Sequence, residues 1–187
     1  MKRLFLIAGL VAAFLLLVVA ASAQKANFAG TWNLDKSKSQ GLSPRMQGAD
    51  SVTWTITQDD KTISIDQKVT GGQPPAGGGG GGTGGGGGMG GGRGGAGMGG
   101  PQTYNLDGKE ASTQGQNGMS TAMKSSWDGG ALVLSTVRSG NFNGQDFKST
   151  STDKLSLSGD GKTLTVNRHS EGGRGGPSDS TMVFNKQ

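Results

Sequence analysis

"SVTWTITQDDKTISIDQKV", residues 51–69, decides how the rest of the chain is read. Val52, Trp54 and Ile56 share one parity, with Thr53 and Thr55 between them. After Asp59-Asp60, Ile63, Ile65 and Val69 again alternate with polar residues. A period of two, with one apolar and one wet face, is the pattern of a half-buried antiparallel strand. Two such runs joined by a pair of aspartates read as a hairpin. Asp is favoured in turns because its carboxylate accepts hydrogen bonds from the backbone just ahead of it. Asp59 and Asp60 are therefore read as turn residues, and so are Asp128 and Asp160 further on; no EF-hand spacing accompanies them.

The same texture extends outward. Tyr104 and Leu106 precede Asp107-Gly108, and Met119, Met123 and Trp127 share a parity before Asp128-Gly129-Gly130. Leu132, Leu134 and Thr136 follow. Leu155 and Leu157 precede "SGDGK", with Leu164 and Val166 after it, and Met182 and Phe184 share a face at the end. "WTITQDDKTISID", "SSWDGGALVLS" and "LSLSGDGKTLTV" look like copies of one unit, but shared turn chemistry explains them without internal duplication, since Asp-Gly supplies the positive φ of a tight hairpin. Nothing beyond the first residues has helical periodicity. About nine short strands, each joined to the next by a turn or loop, predict an all-β fold. The expected form is an antiparallel up-and-down barrel of about 8–10 strands, or a strongly curved meander.

One segment departs from this pattern. Between Gly71 and Gly100 the chain is almost all glycine. Glycine loses the most backbone entropy on ordering and brings no side chain to bury. Residues 71–100 are expected to form a flexible, disordered inter-strand loop, spanning on the order of 30 Å as a random coil. "GGRGG" at 91–95 and 172–176 resembles RNA-binding Arg-Gly-Gly segments, but it lacks interleaved aromatics and no nucleic-acid partner is expected.

At the other extreme of composition, Lys2 and Arg3 precede an apolar run from Leu4 to Ala21 that ends in Ala21-Ser22-Ala23. This is the pattern of a signal peptide over residues 1–23, cut before Gln24, so the protein is expected to be exported to the periplasm or beyond. An uncleaved signal sequence would be its one route to a membrane. Loss of Lys2 and Arg3 lowers the formal charge from +5 to +3, too mild for a nucleic-acid footprint. With no Cys there are no disulfides and no thiolate chemistry. Residues 24–187 are expected to form a single barrel domain interrupted by the glycine segment.

Phe28-Ala29-Gly30-Thr31-Trp32-Asn33-Leu34, just after the cleavage site, resembles the opening strand of the calycins, the lipocalins and fatty-acid-binding proteins. The chain as a whole is similar to the small secreted lipocalin-like proteins of bacteria. The resemblance implies that Gly30 lets the first strand bend at the barrel base and that Trp32 plugs that end. The chain departs from the pattern in two ways. Calycins usually pack an Arg or Lys from near the last strand over this Trp, and here only Lys186 is near, with Arg168 one strand earlier. Fatty-acid-binding proteins carry a C-terminal Arg-x-Tyr pair that clamps a ligand carboxylate, and "MVFNKQ" has none. The resemblance bears on fold and leaves the ligand open.

Little in the chain suggests catalysis. His169 is the one histidine and falls on the parity opposite Leu164 and Val166, toward solvent. No zinc site, cofactor or catalytic triad is expected, and the protein is not read as an enzyme. Arg138 shares parity with Leu132 and Leu134, and Arg168 with Leu164 and Val166. If they point inward near the strand ends, each guanidinium can receive a carboxylate or phosphate. The cost of burying an unpaired charge favours the alternative, in which each strand has left the barrel and the arginine is solvated. The two remain the leading ligand-contact candidates. Trp54, Met123, Trp127, Leu132, Leu134 and Leu164 would line the apolar lumen or fill it. The expected function is a binding module for a small apolar or amphipathic ligand. The alternative is a structural, envelope-associated interaction protein whose barrel is packed solid and whose glycine loop makes the contacts; whether the interior is open decides between them.

Overall fold

A computed structural model describes residues 25–71, 100–115, 118–142, 144–172 and 176–187. The expected leader at 1–23, nearly all of the glycine segment, and the arginines of both "GGRGG" runs lie outside the described residues.

Ten strands form one antiparallel sheet: β1 (Gly30–Leu34), β2 (Ser51–Gln58), β3 (Thr62–Thr70), β4 (Gln102–Asn105), β5 (Ala111–Gln114), β6 (Ser120–Asp128), β7 (Ala131–Phe142), β8 (Gln145–Leu157), β9 (Thr163–Gly172) and β10 (Ser178–Lys186). A short helix, α1 (Pro44–Gly48), joins β1 to β2. The spatial order is β4-β3-β2-β1-β10-β9-β8-β7-β6-β5, so every neighbour is a chain neighbour except where β1 meets β10. That seam closes the chain ends on each other: Trp32 lies opposite Lys186 and Leu34 opposite Phe184. The sheet curls into a nearly closed barrel. The remaining gap lies between β4 and β5 and is bridged rather than laddered. The Ser125 hydroxyl donates to the Asn105 carbonyl at 2.6 Å, and the Tyr104 hydroxyl meets Thr136 Oγ1 at 2.7 Å.

The hairpin at 51–69 forms in the register its alternation demands, with Trp54 opposite Gln67 and Ile56 opposite Ile65. Asp59 Oδ1 accepts from the backbone N–H of Lys61 at 2.8 Å and of Thr62 at 2.6 Å, which is the turn role read from sequence. These bonds hold its carboxyl below the usual carboxylate range.

One end of the barrel is shut. Trp32 is fully buried, and its indole N–H donates to the Phe28 carbonyl at 2.9 Å. Phe28 follows it inside and stacks on Trp127, ring centroids 6.3 Å apart. Gln58 pins this entering segment from β2, accepting from the Phe28 N–H at 2.9 Å and donating to the Ala26 carbonyl at 3.0 Å. Outside, Lys186 Nζ lies 5.2 Å from the Trp32 ring centroid, a cation-over-indole contact. Gly30, at φ +144°, makes room for it: a Cβ there would sit 2.9 Å from Lys186 Cε.

Above this plug, Leu132, Leu155, Leu164, Val166 and Phe184 are fully buried, and Trp54 packs on Phe184 with centroids 4.8 Å apart. Each such side chain contributes about 1.5–3 kcal/mol by leaving water. The core therefore occupies the closed half of the barrel.

Candidate functional site

The strand register sorts the inner wall into layers. Nearest the plug, Trp127, Leu132, Leu155, Val166 and Met182 lie side by side across five strands. The next layer is Ser125, Leu134, Asp153, Arg168 and Ser180. Then come Met123, Thr136, Ser151 and Ser170, and at the open end Thr121, Arg138, Ser149 and Gly172. One wall thus passes from wholly apolar to almost wholly polar over three steps of two residues each. The alternation that makes the strands amphipathic across the sheet carries a second gradient along it.

The polar half encloses a cleft of about 740 Å³ that opens to solvent. Its facing wall is Trp54, Ile65, Gln67 and Val69 from β2 and β3, with Tyr104 from β4; Arg45 and Met46 of α1 stand at the rim. Ser43 starts that helix, its hydroxyl accepting from the Met46 N–H at 3.4 Å, and Pro44 fixes the first turn. Lys36 anchors the far side of the helix by donating to the Ala49 carbonyl at 2.8 Å.

Polar groups on the cleft floor are held in pairs. Arg168 meets Asp153 through two parallel bonds, Nε to Oδ1 at 2.6 Å and Nη2 to Oδ2 at 2.7 Å. The side chains are 28% and 10% exposed, so the pair is largely shielded from water. Burial works against the Arg168 charge, but the bonds and charge of Asp153 outweigh it and the guanidinium pKa rises. The Tyr104 hydroxyl bonds Thr136 and also donates to Gln102 Oε1 at 2.9 Å; burial first, then the charge of Asp153, lifts the phenol above its ordinary 10. The Trp54 indole N–H donates to Gln67 Oε1 at 3.1 Å. Three side-chain atoms are buried with no hydrogen-bond partner among the described residues: Trp127 Nε1 beside the plug, and Arg138 Nε and Thr121 Oγ1 toward the open end. Thr121 and Arg138 stand directly opposite each other on β6 and β7.

The ligand-contact candidates read from sequence therefore separate into two groups. Trp54, Arg138 and Arg168 line the cleft. Met123, Leu132, Leu134 and Leu164 are buried in the packed core, and Trp127 packs against it with Lys25 Nζ 5.6 Å from its ring centroid. Of lining and filling, these five fill. Gly30 and Trp32 sit at the plug. The solvated alternative for Arg168 does not hold, because the unpaired charge it was meant to avoid is paired. Asp153 was missed; its signal was its parity with Leu155 and Leu157 in "STDKLSL". Thr121 and Tyr104 had no signal beyond inward parity.

His169 lies outside the barrel, as its parity required. Nδ1 is 2.6 Å from Asp179 Oδ1 and Nε2 3.2 Å from Glu171 Oε1, and these bonds raise the imidazole pKa above its ordinary 6.5. Among the described residues no group of three His, Asp or Glu is placed to hold a metal ion.

No protein-family model matches the chain, and no curated protein matches it. Among solved structures it is similar to the zebrafish ileal bile acid-binding protein complexed with cholic acid, at 14% identity, with a TM-score of 0.47 over 86% of this chain and 98% of that one. The strand ladder, not this likeness, defines the barrel.

Proposed function

We propose that the protein is an exported, calycin-like binding module that holds one small amphipathic molecule in the open half of its barrel. The observation that carries this reading is the buried Arg138 Nε without a partner at the wall of a 740 Å³ cleft. A buried donor left unsatisfied costs about 1–3 kcal/mol, more when charged. A ligand oxygen, best an anionic one, recovers that loss on binding. Ile65, Val69 and Met46 offer an apolar face on the opposite wall. The cleft volume falls in the range of about 300–1,000 Å³ usual for small-molecule sites. A barrel packed solid from end to end, the alternative function, has no use for such an opening.

Native mass spectrometry of the exported, gently purified protein tests the reading. The expected result is a reproducible extra mass that disappears on denaturation and is lost in Arg138→Met. A bare mass, together with no saturable binding of any amphipathic probe, refutes it.

A further inference from the structure

Starting from the binding-module reading above, the geometry points to a hydroxylated carboxylic acid of sugar-acid size as the ligand class. Its hydroxyls would be read by the Asp153–Arg168 pair and its acid group by Arg138.

The cleft is too polar for an acyl chain. Asp153 and Arg168 sit at its floor, with Ser151, Ser170 and Thr136 on the layer above. Methylene groups laid over that floor would strip water from a charge pair and the Ser151 and Ser170 hydroxyls and return no hydrogen bond, several kcal/mol in the wrong direction. A polyol returns them. The bidentate pair uses one lone pair on each Asp153 oxygen and two of the five Arg168 N–H groups. One lone pair per oxygen and three N–H donors remain. The free donors are all on Nη1 and Nη2, beside Oδ2, so one hydroxyl can donate to Oδ2 and accept from Nη2 while an adjacent hydroxyl donates to Oδ1.

Charge selects a single acid group. Asp153 neutralises Arg168, which leaves Arg138, its buried Nε without a hydrogen-bond partner among the described residues, as the second inward cation. At the rim, Arg45 and Lys68 stand against Asp66 and Glu171 and add no net charge. Ile65 and Val69 opposite would take the C–H face of a ring.

Isothermal titration of the unaltered exported protein with D-glucuronate, D-glucose and octanoate tests the class. Glucuronate is expected to bind saturably, with glucose and octanoate each at least about tenfold weaker. In ¹H–¹⁵N spectra the same titration should move the Arg138 Nε–H and Trp54 Nε1–H signals. Arg138→Met should weaken glucuronate about tenfold or more while leaving glucose unchanged. Octanoate binding without glucuronate binding overturns the sugar-acid class and leaves the binding module standing. Glucuronate binding that Arg138→Met does not weaken overturns the placement of the acid. Absence of binding by all three, with a bare native mass, removes both readings.

Discussion

Replacing Arg168 by Met would strand the Asp153 carboxylate in a wall position that is only 7% exposed. Breaking one side of a buried pair costs more than removing both, because the surviving charge has no partner. Urea unfolding should show a loss of about 2–4 kcal/mol for Arg168→Met. The double exchange Asp153→Leu with Arg168→Met should recover most of it. Equal losses for the single and double variants would mean that the pair is solvated in practice. On the outer wall the balance concerns a proton. The bonds from Asp179 and Glu171 hold the folded His169 pKa above its unfolded value, so their contribution to stability is complete below the unfolded pKa. It is lost as pH rises through the folded pKa. As the chain has one histidine, a single imidazole titration reports it directly. The midpoint is expected above 6.5 and should fall in Asp179→Asn; a wild-type midpoint at or below 6.5 contradicts the geometry.

At the scale of the elements, β4 and β5 are the two edge strands, and β4 is the one that spans the gap between them. It is laddered to β3 alone and reaches the far side through side chains, Tyr104 to Thr136 and Asn105 to Ser125. Tyr104→Phe should therefore lower stability by about 1 kcal/mol and speed amide exchange in β4, while the β8–β9 ladder keeps its protection. Exchange that rises equally in β8 and β9 would mean that the gap is not where the barrel opens. The β5 strand explains the difference between nine strands read and ten found. Ala111, Ser112, Thr113 and Gln114 bury no large side chain, so no alternation announces them. Where burial was two-faced the sequence was readable, as in β2, β3 and β9. The same limit applies to the cleft. Parity placed Arg138 and Arg168 on the inner wall, but whether a wall position faces packed leucine or open space depends on how far along the barrel it lies. That is a property of stagger between strands, which no single strand carries. Asp153 escaped because a charged residue at an inward position looks like a break in the pattern until its partner on the next strand is known.

Across the whole molecule, closure depends on pairing the first strand with the last. Deleting residues 182–187 removes Met182 and Phe184 from the core, the β1 ladder of β10 and the cation over Trp32 at one stroke. The truncated chain is expected to lose its cooperative thermal transition altogether; a sharp melt within a few degrees of the full chain would mean that the seam is dispensable. Folding should also be slow, in the range of milliseconds to seconds, because that seam joins residues more than a hundred positions apart. The plug at residues 25–32 has a practical consequence. Lys25 lies beside Trp127 at the shut end, away from the mouth of the cleft. A sensor chip or affinity resin coupled through that end would present the opening outward to passing solutes, whereas coupling through α1 would press the rim against the support.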